Sequence, residues 1–179
     1  MKNLFTLGLI LFTVALFAQD KVITKNGNIN FEASVPAFEE IKAKNENVTC
    51  ILNTKTGEIA SLALIKGFRF KIALMEEHFN ENYMESDKYP KATFKGTIIN
   101  FDLSKLTTTY TEYTVKGKLE IHGKSKDISS LAKIRKTDKG IDLITNFDVY
   151  ASDFAIEIPS VVKNKVSNKI LISNSFLLK

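Results

Sequence analysis

Apolar and polar residues alternate with a period of two through most of the chain, and this pattern constrains the fold more than any other feature. Residues 28–35, NINFEASV, place Ile29, Phe31, Ala33 and Val35 on one face and mostly polar residues on the other. Three further segments alternate in the same way: residues 68–74, 112–122 and 141–149. A strand with one apolar face is half-buried, as in antiparallel sheets. The period therefore predicts an antiparallel, all-β fold.

Tight-turn sequences separate these alternating segments. They are Asn26-Gly27, Lys55-Thr56-Gly57, Lys66-Gly67, His122-Gly123 and Asp138-Lys139-Gly140. The spacing predicts about eight to ten short strands, which is typical of a barrel or a sandwich. A closed barrel is favoured because closure removes the exposed sheet edges.

One segment, LMEEHFNENYMESDKYPKATFKG at residues 74–96, departs from the period of two. Five of its residues recur at helical spacing on one face: Leu74, Met75, His78, Phe79 and Asn82. Pro90 disfavours helix in the residue before it. We predict a short amphipathic helix over residues 75–86, inserted between strands. A second short irregular or helical segment is predicted at residues 159–165.

The N-terminal residues have the composition of a secretory signal. A single lysine precedes an uncharged apolar run from Leu4 to Phe17, and Ala18 supplies a small residue at the cleavage point. The run is too short to span a membrane and no second run follows it. We therefore predict a signal peptide at residues 1–18, one domain at residues 19–179, no stable membrane insertion, and a periplasmic or secreted location.

Charge and cysteine content exclude several classes of function. The formal net charge is +5, and lysine supplies nearly all of the positive charge because Arg69 and Arg135 are the only arginines. A diffuse lysine surface differs from the concentrated arginine of phosphate readers, so nucleic acid is not a predicted partner. Cys50 is the only cysteine, which excludes an intrachain disulfide.

No residue pattern makes a convincing catalytic or metal centre. His78 lies beside Glu77 and three residues before Glu81, yet there is no HExxH motif, and a zinc site usually needs three protein ligands. We favour a structural His78, packed under the helix and bonded to a backbone carbonyl. His122 is expected on the polar face of a strand beside a turn. Cys50 lies in the apolar segment VTCIL with no adjacent histidine, as a buried core cysteine does. We predict no catalytic residue, metal ligand or cofactor.

The aromatic content leaves two descriptions of the interior open. The chain has thirteen phenylalanines and five tyrosines but no tryptophan. A barrel of about eight strands encloses space either for packed side chains or for one slender ligand. Phenylalanines on alternating strand positions suit both a solid core and an apolar tunnel.

Several segments together resemble a known family. They are Phe68-x-Phe70, residues 75–86, the run Lys88-Tyr89-Pro90-Lys91-Ala92-x-Phe94-x-Gly96, Thr56-Gly57-Glu58-Ile59, the strand Val115-x-Gly117-x-Leu119-x-Ile121-x-Gly123 leading into Lys126, and Asp153-Phe154-x-Ile156-x-Ile158-Pro159. The chain resembles the YceI-like family of lipid/polyisoprenoid-binding domains, in the exported form of Bacteroidetes-type bacteria. The resemblance covers the whole of residues 19–179.

The resemblance implies an extended lipocalin-like, eight-stranded antiparallel barrel with a short helix near one opening. It also implies a non-catalytic carrier whose partner is an isoprenoid, such as a polyprenyl or quinone-like lipid, or another long-chain lipid; a homodimer stays open. Transferred to inward strand positions, it predicts this lipid-binding wall: Phe68, Phe70, Met75, Phe79, Phe94, Ile98, Tyr113, Val115, Leu119, Leu143 and Phe147. Two alternatives are an enzyme that uses His78 and carboxylates at the barrel mouth, and a surface-acting stress or interaction module with a solid core.

Overall fold

Nine antiparallel strands make up most of residues 20–179, the part of the chain that the computed structural model describes. The predicted signal peptide, residues 1–18, lies outside the described residues. In chain order the strands are β1 (Lys21–Ser34), β2 (Lys42–Asn53), β3 (Glu58–Leu64), β4 (Arg69–Phe70), β5 (Lys91–Ile98), β6 (Thr111–Ile121), β7 (Lys124–Thr137), β8 (Gly140–Tyr150) and β9 (Val166–Leu178). One helix, α1 (Ala73–His78), follows β4, and single turns of 3₁₀ helix occur in the connections.

The strands close into a barrel. Their order is β1-β9-β8-β7-β6-β5-β3-β2, and β1 also pairs with β2, so the sheet of eight strands has no free edge. The two-residue β4 adds to β2 beside this ring, where Phe70 pairs with Ala43. The predicted eight-stranded antiparallel barrel is confirmed.

The two ends of the barrel differ. At the far end Ile23 and Lys179 exchange backbone hydrogen bonds of 2.9 and 3.1 Å, and the interior there is solid, with Leu52, Ile134 and Leu178 each 0% exposed. At the opposite end, which we call the mouth, β1 and β9 are paired at Ser34 and Val166. The mouth carries four connections: residues 35–41, 65–90, 122–123 and 151–165. Most of the irregular structure therefore lies at one end.

The sequence Asn26-Gly27, predicted to be a turn, lies inside β1 instead. The pairing of β1 with β2 shifts register on either side of Gly27, so the dipeptide forms a β-bulge. The ring of Phe176 lies over Gly27, and a β-carbon placed there would be 2.4 Å from Phe176 Cδ1. Only glycine allows the ring to approach the backbone this closely. The prediction of a turn did not include this long-range contact.

The predicted helix is present but shifted. It begins at Ala73, and after His78 it continues as a turn of π-helix over Phe79–Tyr83. The helix includes residues 73–74, which the sequence pattern had placed at the end of a strand over residues 68–74. Only β4 forms within that predicted strand, and Leu74 is 56% exposed to solvent. The predicted irregular segment at residues 159–165 contains a 3₁₀ turn at Ser160–Val162. Within residues 20–179, no helix has the length and apolar character needed to cross a membrane.

Two glycines face each other where β5 and β6 pair. Gly96 and Gly117 are direct partners, and a β-carbon on Gly117 would lie 2.4 Å from Lys95 O, 2.5 Å from Gly96 Cα and 2.7 Å from Phe94 Cζ. The ring of Phe94 thus covers both glycines on the inner face. The strands can approach this closely only without side chains at these two positions.

We expect Gly117→Ala to destabilise the barrel by about 1–3 kcal/mol, because the added methyl group meets rigid backbone as well as the Phe94 ring. Urea unfolding followed by circular dichroism measures the change. Lys116→Ala, at the adjacent exposed position of β6, serves as the control and should change stability by less than about 0.5 kcal/mol. An unchanged unfolding midpoint for Gly117→Ala would contradict the close approach.

Candidate ligand-binding cavity

The barrel is hollow in its mouth half. A cavity of about 540 Å³ extends from the mouth connections down to a floor that includes Cys50, Ile59, Leu143 and Phe176. Below this floor the solid core of the far end begins. The wall is predominantly apolar and is built from inward-facing residues of the strands. The tunnel, one of the two interiors that the sequence left open, is therefore present in half of the barrel.

Four phenylalanine rings pack together beside the mouth. The ring of Phe79, in the helical segment, lies 5.3 Å from that of Phe31, 5.7 Å from Phe68 and 5.1 Å from Phe70, measured between centroids. These separations are typical of favourable aromatic contacts. The cluster holds the helical segment against β1 and β4, and all four rings also line the cavity.

A carboxylate fixes the start of the helix on the same side. Glu76 accepts hydrogen bonds from Arg69 at 2.9 Å and from the backbone N–H of Phe70 at 3.1 Å. Glu76 is thus turned back onto β4, and its side chain is only 27% exposed. Its role is to anchor α1 to the strand that precedes it.

The predicted lipid-binding residues fall into two groups. The cavity wall contains Phe68, Phe70, Met75, Phe79, Phe94, Val115, Leu119, Leu143 and Phe147. Ile98 and Tyr113 do not line it. Ile98 is 1% exposed in the solid core, and Tyr113 packs there with its ring 5.9 Å from that of Phe101. Both face inward as predicted but lie too near the far end, because alternation reports the face of a strand and not the depth along it. Contact of any of these residues with a lipid stays a prediction.

Several wall residues were not predicted. Strand β9 contributes Ile170, Ile172, Asn174 and Phe176, and the segment after β8 contributes Phe154. The signal in β9 was an alternating set at even positions from 170 to 178. It is obscured by apolar residues at the odd positions, of which Leu171 is 51% exposed.

Neither histidine occupies the predicted environment. His78 is exposed at the rim of the cavity instead of packing under the helix. His122 is in the β6–β7 turn at φ 51°, with its side chain 11% exposed, so it does not lie on a polar strand face. Its ring contacts Phe154 O at 3.1 Å through Nδ1 and Glu85 Oε2 at 2.9 Å through Nε2. Both partners are acceptors, so both contacts are hydrogen bonds only when both ring nitrogens carry hydrogen. We call this set, His122 with Glu85 and Phe154, the rim clamp.

The catalytic alternative required His78 to share an open pocket with at least two acids. Among residues 20–179, Glu39 is the one carboxylate that lines the cavity together with His78. In the same residues no three His, Cys, Asp or Glu side chains are grouped as metal ligands would be. That requirement is not met by the described residues.

Cys50 is enclosed in the floor, and burial raises the pKa of its thiol to about 12. Because only the thiolate is reactive, we expect native protein at pH 8 to resist iodoacetamide and to be alkylated once urea unfolds it. Intact-mass spectrometry follows the reaction, with Cys50→Ala as the unreactive control. The pKa of the Cys50 thiol in the folded protein lies above its ordinary value of 9.0. The neutral thiol therefore makes its full contribution to the free energy of unfolding below pH 9, and this contribution declines as the pH rises towards 12. Rapid alkylation of folded protein would contradict the enclosed position.

A closed antiparallel barrel with an apolar cavity and a helix at its mouth defines a lipocalin-like barrel. The YceI-like domain matches residues 18–176 of this sequence, and the chain therefore belongs to the YceI-like family. A search of curated proteins finds no match to the chain.

Solved structures share this fold at low sequence identity. A polyisoprenoid binding domain from Saccharophagus degradans is 16% identical with a TM-score of 0.76, over 89% of this chain and 98% of that one. Burkholderia cenocepacia BcnA is 14% identical with a TM-score of 0.70, over 86% of this chain and 96% of that one. The YCEI protein of Campylobacter jejuni is 17% identical with a TM-score of 0.58, over 81% of this chain and 89% of that one. These likenesses establish the architecture.

Proposed function

We propose that this protein is an exported, non-catalytic carrier that holds one isoprenoid or other long-chain lipid inside its barrel. The observation that carries the proposal is the cavity of about 540 Å³ with a predominantly apolar wall and one open end. The domain from Saccharophagus degradans, which has the same fold, is described as polyisoprenoid binding. The proposal of export rests on the signal-like composition of residues 1–18.

The energetics of such a site need no catalytic group. Burying apolar surface contributes about 0.8 kcal/mol per methylene group. About fifteen buried methylene equivalents would thus contribute roughly 12 kcal/mol. Ordering the lipid and losing its translational freedom offset several kcal/mol of this. A net gain of about 8 kcal/mol corresponds to micromolar affinity.

Lipid extraction tests the proposal. The protein would be purified without detergent from the exported fraction of its host, extracted with organic solvent, and the extract analysed by mass spectrometry. We expect a long-chain, predominantly isoprenoid lipid in near-stoichiometric amount. Delipidated protein should take up a prenyl lipid again. Protein that yields no lipid and takes none up would refute the carrier, and protein retained in the cytoplasm would refute export.

A further inference from the structure

A polar pair lies just above the cavity floor, on the neighbouring strands β8 and β9. Thr145 and Asn174 are direct partners across the two strands, and Asn174 Nδ2 donates to Thr145 Oγ1 at 3.0 Å. Both residues line the cavity. Each is one inward position nearer the mouth than Leu143 and Phe176, which belong to the floor. The deepest part of an apolar cavity thus contains an amide and a hydroxyl.

The hydrogen-bonding capacity of this pair is not used up. Asn174 Oδ1 is buried and has no hydrogen-bond partner among residues 20–179. If the amide is turned over, Oδ1 accepts from the Thr145 hydroxyl and Nδ2 becomes the unpaired atom, so one amide atom lacks a partner in either orientation. Buried polar atoms in native proteins are almost always paired. Asn174 itself lines the cavity, and because the terminal torsion of asparagine is broad, rotation of the amide can turn the unpaired atom towards a ligand there.

The chemistry of the surrounding wall restricts what can pair with it. The charged or titratable residues that line the rim of the cavity include Glu39, His78 and Lys165. All three belong to the mouth connections. Near the floor the titratable group is the Cys50 thiol, which is buried. No cation of residues 20–179 lines the floor, so a phosphate there would be a buried, uncompensated charge. A hydroxyl, in contrast, both donates and accepts one hydrogen bond and satisfies either orientation of the amide.

We propose that Thr145 and Asn174 form a subsite for an alcohol group, so that the ligand is an uncharged prenyl alcohol that enters with its hydroxyl end first. The inference rests on the proposed lipid-carrier function and adds to it the head group and the direction of insertion. The hydroxyl reaches the polar pair at the floor, and the apolar chain extends from there towards the phenylalanine rings at the mouth. Asn174 and Thr145 then discriminate between prenyl lipids of equal length.

A competition experiment measures this discrimination. Delipidated protein is equilibrated with equal amounts of farnesol and farnesene, which share the isoprenoid chain and differ in the hydroxyl, and the bound mixture is quantified by gas chromatography with mass spectrometry. We expect an alcohol-to-hydrocarbon ratio of about ten, the effect of pairing one buried polar group. Thr145→Val and Asn174→Leu should bring the ratio towards one. Thr97→Val, which removes a hydroxyl from a residue of β5 that is not part of the cavity wall, should leave it unchanged.

The outcomes separate the subsite from the carrier function. If both lipids bind but the ratio is near one, or is unaltered in Asn174→Leu and Thr145→Val, the subsite is refuted and the carrier function stands. If neither lipid binds, the subsite is refuted, and the carrier function is refuted as well if lipid extraction recovers no lipid. In a parallel titration farnesyl phosphate should bind more weakly than farnesol. A phosphate that binds more tightly in both the parent protein and Asn174→Leu would place the head group at the mouth and overturn the proposal.

Discussion

A Ser61→Trp variant is expected to fold as a barrel and to bind lipid about fiftyfold more weakly. Ser61 lies on β3 between two other wall residues, Ile59 and Ala63, and its side chain faces the cavity. An indole there occupies space that the lipid would fill. Displacing about three methylene groups, at about 0.8 kcal/mol each, accounts for the expected loss.

The neighbouring residue supplies the control. Ala60 is on the same strand but is not part of the cavity wall, so Ala60→Trp should bind as the parent protein does. The chain contains no tryptophan, so each variant carries a single indole whose emission reports whether it is enclosed. If Ser61→Trp shows an enclosed indole and normal lipid affinity, the lipid does not occupy the cavity.

A Phe79→Ala variant is expected to lose about 2–3 kcal/mol of stability, at or just below the range for a fully buried phenylalanine ring because Phe79 is half-buried. Phe79 is the ring that joins the helical segment to Phe31, Phe68 and Phe70. Its removal leaves a hole between the helix and the barrel and separates residues 73–86 from their support. Urea unfolding gives the global loss, and hydrogen exchange in residues 73–86 gives the local one.

Leu74→Ala provides the comparison on the opposite side of the same helix. Leu74 is 56% exposed, so the change should be within about 0.5 kcal/mol. Equal losses in the two variants would indicate a helix held by its general hydrophobicity and would contradict the role of the aromatic cluster.

Period-two alternation was sufficient to predict the barrel because each strand has one face in an apolar interior and one in water. It identified the inward face of β6 and β8 correctly, from Val115 and Leu119 to Leu143 and Phe147. It could not give depth, and so Ile98 and Tyr113, on inward faces, were assigned to a wall that ends above them. Depth depends on strand tilt and on how many side chains fill each layer, which are properties of the assembled barrel.

The errors at Gly27 and His122 share a cause. A positive-φ or Cβ-free position was recognised in each dipeptide, but the long-range partner that uses it was not visible in the local sequence. For Gly27 the partner is the Phe176 ring, and for His122 the partners are Phe154 and Glu85. Both contacts join segments far apart in the chain. Local turn chemistry identifies a special backbone position, but it does not show whether a turn or a bulge uses that position or what packs against it.

The rim clamp makes the mouth asymmetric. By joining His122 to Glu85 and Phe154, it ties three of the four mouth connections on one side of the barrel. The remaining side consists of residues 35–41 and the end of residues 151–165, where Phe38 is 44% and Val161 is 81% exposed. Displacing that side breaks no rim-clamp contact. The mouth is thus held together on one side and free of these contacts on the other, so a lipid of the proposed kind is expected to enter between residues 35–41 and the end of residues 151–165.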